Sequence, residues 1–76
     1  MAMDKQNFSK LVKEIRKYLA LSQEDLAREL GVSFATVNRW ENERAKPSKL
    51  AKAQFDRFFA RMVQRGKLKG FEGGPE

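Results

Sequence analysis

The sequence predicts an all-helical fold, and three observations carry that reading. Apolar residues recur at the spacing of one helix face in four separate stretches. Serine, glycine and proline stand where those stretches should begin and end. No segment alternates with the two-residue period of a half-buried strand.

The first stretch places Phe8, Leu11, Val12, Ile15 and Leu19 on one face, with Lys10, Lys13, Glu14, Arg16 and Lys17 between them. It predicts a helix over 7–20. Ser22 precedes Gln23, Glu24, Asp25 and Leu26, so its hydroxyl can cap a second helix whose first-turn acids suit the positive end of the dipole. Leu26, Ala27 and Leu30 form the buried side of that helix. Gly31 ends it, where a left-handed residue costs least in the absence of a Cβ. Ser33 caps a third helix over 34–42 with Val37 and Trp40 inward. Pro47-Ser48 then stops one element and caps the next, predicted from Lys49 to Gln64. Its apolar residues are Ala51, Phe55, Phe58, Phe59, Met62 and Val63, and Gly66 lies just beyond its end.

The 76 residues leave room for one domain and one modest core, expected over 1–66 with a flexible glycine-rich tail over 67–76. With no cysteine and no histidine, thiolate and imidazole metal sites are excluded. The same gap, with carboxylates mostly at caps or on helix surfaces, leaves enzyme chemistry unsupported and no cofactor expected. The N-terminus has no apolar stretch of the kind a signal peptide needs, and no run approaches a membrane span, so the cytoplasm is the expected compartment.

The net charge is +6 and is unevenly spread. Residues 1–37 carry six basic and five acidic side chains, whereas residues 38–76 carry ten and five. A concentrated basic excess favours a polyanionic partner, because neutralised phosphates release condensed counterions. Charge alone does not separate that reading from a solvated surface.

The arrangement of helices two and three is more specific. A tight glycine turn between two short amphipathic helices forces a steep crossing and leaves the second helix projecting. A projecting helix about 10–12 Å across suits the major groove of B-form DNA. The stretch from Gln23 to Asn42 resembles the helix-turn-helix of the lambda-repressor-like, Cro and Xre family of prokaryotic transcription regulators. Gln23 opens the motif, Ala27 is the small residue where the helices cross, and Gly31 is the turn. Leu26, Leu30, Val32, Val37 and Trp40 take the buried positions, followed by Glu41-Asn42 and the basic segment Arg44-Ala45-Lys46. The similarity extends loosely from about Phe8 to Phe59. It implies a small four- to five-helix DNA-binding domain; this family usually adds a fifth helix, whereas the region after Pro47 reads here as one long helix.

On that reading the solvent face of the third helix offers Phe34, Ala35, Thr36, Asn38 and Arg39 to a duplex. Arg39 can donate two hydrogen bonds to guanine or can bind a phosphate, and both remain open. Asn38 suits adenine, although it leans toward the helix flank. Phe34 can touch thymine methyl groups or fold back on helix two. Gln23, Ser33, Thr36 and Asn42 read as backbone clamps, with helix capping as the plainer role. Arg44 and Lys46 lie on the loop that commonly touches phosphates in the resembling proteins. That resemblance also implies an ion pair between Arg16 and Glu41.

The expected function is a sequence-specific regulator of double-stranded DNA, a repressor that binds as a homodimer through Phe59 and Val63 of the last helix. An antitoxin-like or partner-recruiting module, or a non-specific nucleic-acid binder, are the alternatives.

Overall fold

Four capped helices follow one another in the computed structural model, which describes residues 4–68: α1 (Lys5–Tyr18), α2 (Gln23–Leu30), α3 (Phe34–Glu41) and α4 (Lys49–Gln64). Among the described residues there is no strand, and no helix is long and apolar enough to cross a membrane. The serine caps expected at 22, 33 and 48 are all present. Each hydroxyl accepts from the backbone N–H three residues on, at 2.9 Å for Asp25 and 3.1 Å for Thr36 and Ala51. At α2 the Asp25 carboxylate also accepts from the Ser22 N–H, completing a capping box. α1 starts and ends two residues earlier than its apolar spacing suggests. Asp4 caps it through the Asn7 N–H at 2.8 Å, a signal that lies ahead of the first core residue.

The helix ends share one device. After each helix a residue with positive φ reverses the chain, and the N–H of the next residue closes onto a carbonyl five positions back. The reversing residues are Ala20, Gly31, Glu43 and Gly66. The closing bonds run from Leu21 to Arg16, Val32 to Ala27, Arg44 to Arg39 and Lys67 to Met62, at 2.9–3.0 Å. Gly31 and Gly66 adopt this conformation without a Cβ clash, whereas Ala20 and Glu43 carry the left-handed strain.

Phe8 of α1 sits at the centre of the core. Its ring meets Trp40 of α3 edge-on at 5.1 Å and Phe55 of α4 at 5.2 Å. Val12, Ile15, Leu26, Val37 and Phe58 close around this aromatic set. α1 and α2 both pack on α3, and α4 packs on α2.

The C-terminal end departs from expectation in two places. Leu68 is only 2% exposed and belongs to the core, so packing continues past the expected boundary at Gly66. The reversal at Gly66 turns the chain back and brings Leu68 inward; the rest of the expected tail, 69–76, lies outside the described residues. On α4, Phe55, Phe58 and Met62 are buried as expected. Phe59, however, packs against the edge of the core, while Val63 is 49% exposed. The outward apolar flank is therefore narrower than the helical spacing implies.

The strained reversal at Ala20 yields a direct test. Ala20→Gly should stabilise the protein by about 1 kcal/mol, because glycine removes the left-handed penalty at an exposed position. A rise in the urea midpoint with unchanged slope is the expected result. No change would mean that Ala20 relaxes at little cost.

Candidate nucleic-acid interface

α3 is eight residues long and would be marginal as an isolated helix, so its placement depends on what holds its inner side. Val37 and Trp40 fix it to the core, and Glu41, at its last turn, fixes it to α1 and α2. The Arg16 guanidinium donates to both carboxylate oxygens of Glu41, Nε at 2.7 Å and Nη2 at 3.0 Å. Its remaining Nη1 donates to the Leu21 carbonyl at 3.1 Å. Gln23, the first residue of α2, donates to Glu41 Oε1 at 3.0 Å. Ser9, buried in α1, donates to the backbone carbonyl of Glu41 at 2.8 Å. The ion pair implied by the family resemblance is therefore present, inside a larger network.

Glu41 is 5% exposed and Arg16 21%. Burial pushes the Glu41 carboxyl up, but hydrogen bonds from Arg16 and Gln23, with the charges of Arg16 and Lys13, outweigh it, leaving the group below its ordinary value. The hydrogen bond to Glu41 raises Arg16 in turn, against the opposing effect of burial. Both groups are held in their charged forms.

From Glu41 the network reaches the surface. The Gln23 side-chain oxygen accepts from the Asn38 amide at 3.2 Å. The Asn42 amide donates to the Asn38 backbone carbonyl at 2.9 Å and to its side-chain oxygen at 3.1 Å. Gln23, Asn38 and Asn42 thus form one ordered edge. A two-bond contact from Asn38 to adenine would require its amide to leave these partners.

The rest of the site lies beside this edge. Phe34, the first residue of α3, is 51% exposed and lies outside the core cluster. Ala35 and Arg39 are exposed along the same helix, and Arg44 and Lys46 are exposed on the loop that follows. Ser33 and Thr36 share a hydroxyl hydrogen bond at 2.8 Å beside the α3 cap. The two helix starts differ electrically. Glu24 and Asp25 occupy the first turn of α2, where the Ser22 N–H, the Ser22 hydroxyl and Arg28 hold the Asp25 carboxyl below its ordinary value. The first turn of α3 carries no acid, so its positive end is offset by no carboxylate of its own. Of the two, α3 is the better-prepared end for an anion.

The geometry is that of two helices crossing at a glycine turn, with the second fixed from behind and open in front. A family model for the helix-turn-helix matches residues 12–51. The chain belongs to the helix-turn-helix family. Its kinship lies with lambda-repressor-like and Xre regulators, as the motif suggests. Over 37 residues this helix-turn-helix chain is 49% identical to uncharacterized HTH-type transcriptional regulators called YiaG from three Escherichia coli strains, K12, O6:H1 and O157:H7. That match covers 49% of the chain and 38% of those relatives, so the chain spans well under half of their length. No solved structure gives a significant match.

Ser9 was not legible as a member of the site. It lies one position off the apolar stripe of α1, and a small polar residue beside a helix contact was its only signal. Gln23 and Asn38 were singled out as groups facing a duplex, whereas Gln23 bonds inward to Glu41 and Asn38 bonds to Gln23.

Arg16→Ala and Glu41→Ala should each destabilise by about 3–5 kcal/mol, because each strands a partner that is at least partly buried. Their double-mutant cycle in urea should show coupling well above about 0.5 kcal/mol, and additive effects would mean that the pair is not a unit. Acid should also loosen the domain. Glu41 binds its proton less tightly when folded than unfolded, so its contribution is complete above its ordinary value and is lost as pH falls through its lower folded value. Glu41→Gln should flatten the pH dependence of the unfolding midpoint in that range, leaving a residual slope to which Asp25 contributes.

Proposed function

We propose that the protein is a sequence-specific double-stranded DNA-binding regulator, acting as a repressor, that inserts α3 into the major groove. One observation carries the proposal: α3 is locked from behind by Trp40 and the Arg16–Glu41 pair while Phe34, Ala35 and Arg39 stand open in front. A rigid helix with an uncommitted face is what base readout needs, since a misplaced donor loses the bidentate geometry.

On this reading Arg39 reads guanine through O6 and N7, and Phe34 with Ala35 meets thymine methyl groups. Gln23, Ser33, Thr36, Asn38 and Asn42 position the backbone through the ordered edge beside α3, and Arg44 and Lys46 contact phosphates. A homodimer would set two such helices about 34–36 Å apart, one turn of DNA. Exposed Val63 on α4, with Phe59 at its margin, supports a self-association surface there.

The test is selection from random duplexes followed by mutation. Selection should return two inverted half-sites one turn apart; a single half-site would point to a monomeric reader. Arg39→Ala should cost about 1–3 kcal/mol on the selected site and little on unrelated DNA, whereas Lys46→Ala should weaken all sequences and flatten the salt slope by about one unit. A uniform loss from Arg39→Ala would move that residue to the phosphate contacts, and failure to select any sequence would defeat the specific reading.

A further inference from the structure

The basic excess is not exhausted by α3 and its loop. On α1, Lys10, Lys13 and Lys17 line an open groove of about 320 Å³ beside the C-terminal end of α3. Ser9 forms part of its lining, and its hydroxyl is bonded to the Glu41 carbonyl, which ties this stretch of α1 to the last turn of α3. Glu43, immediately before Arg44, lines the same groove. Among the described residues none of the three lysines is engaged in an ion pair. Lys13 is near enough to the end of α3 for its charge to act on Glu41.

We propose that the lysine row of α1 is a second contact surface for the duplex backbone, binding phosphates that flank the segment read by α3. The proposal rests on the DNA-binding reading above and extends its footprint. Three lysines at positions 10, 13 and 17 follow helical spacing, so their ammonium groups rise along one side of α1 and can track a line of phosphates. Position distinguishes them from the other basic surface. α4 carries Lys49, Arg57 and Arg61, with Lys52 paired to Asp56 and Arg65 at its C-cap, but it packs on α2, whereas α1 packs directly on α3. Arg61 also lies over the Phe58 ring, 5.8 Å from its centroid. Glu43 brings the start of the loop that carries Arg44 and Lys46 to the edge of this groove. Glu14 and Glu43 face the same groove, and their charges oppose a phosphate there.

The test compares three variants on a duplex about two turns long, with the native protein as reference. Each neutralised phosphate contributes about 0.9 to the slope of log affinity against log salt. Lys10→Gln, Lys13→Gln and Lys17→Gln together should therefore flatten the slope by about two to three units. Arg57→Gln with Arg65→Gln should leave the slope unchanged, and Glu43→Gln should tighten binding severalfold. The selected sequence should still be preferred by the lysine variant, because Arg39 is intact. A native slope in the lysine variant overturns the proposal, as does equal flattening in the α4 variant, which would indicate a mere loss of net charge. If the native protein binds no duplex, the α3 reading falls and this proposal with it. If the native protein binds and discriminates while the lysine variant keeps its slope, the lysine row alone is refuted.

Discussion

The carboxylate of Glu41 is the point at which three helices agree on their positions. Arg16 reaches it from α1 and Gln23 from α2, while Ser9 holds its backbone. Ion pairs this buried add little net stability, since desolvation consumes much of the Coulomb gain. Their value here lies in direction. An apolar contact at this place would tolerate sliding of α3, whereas a two-bond guanidinium–carboxylate geometry fixes both its register and its rotation. The ordered edge of Gln23, Asn38 and Asn42 inherits that fixed geometry.

α3 shows how one short helix divides its surface. Val37, Trp40 and Glu41 are spent on holding it, and Phe34, Ala35 and Arg39 are left outward. Eight residues give barely two turns, so each outward position is a large share of the available face. The division also explains why Asn38 is unsuited to act alone. It stands at the border of the two sides and is recruited into the network.

Much of this was legible in the residues, for physical reasons. Side-chain hydroxyls at Ser22, Ser33 and Ser48 and the glycine at 31 act locally, so caps and turns could be placed without knowing the fold. Helical spacing likewise separated the core side of each helix from its solvent side. Less legible were features decided by several elements at once. Ala20 and Glu43 reverse the chain with no glycine to announce it. Leu68 looked like part of a frayed tail until the reversal at Gly66 directed it inward. Phe59 was expected on an open flank, and the edge of the core claims it. At the site, the candidate residues could be named from the motif, but the internal bonding of Gln23 and Asn38 depends on where three helices meet.

The placement of Trp40 gives the protein an optical signal of its own. It is the only tryptophan, 2% exposed, with its indole edge-on to Phe8 on the inner side of α3. Its emission therefore reports an apolar environment at the junction of α1 and α3 and shifts to the red when water reaches that junction. A nucleic acid lying along the outer side of the helix would leave the indole covered. Fluorescence at this one residue thus follows whether the helix is seated, separately from whether its outer face is occupied.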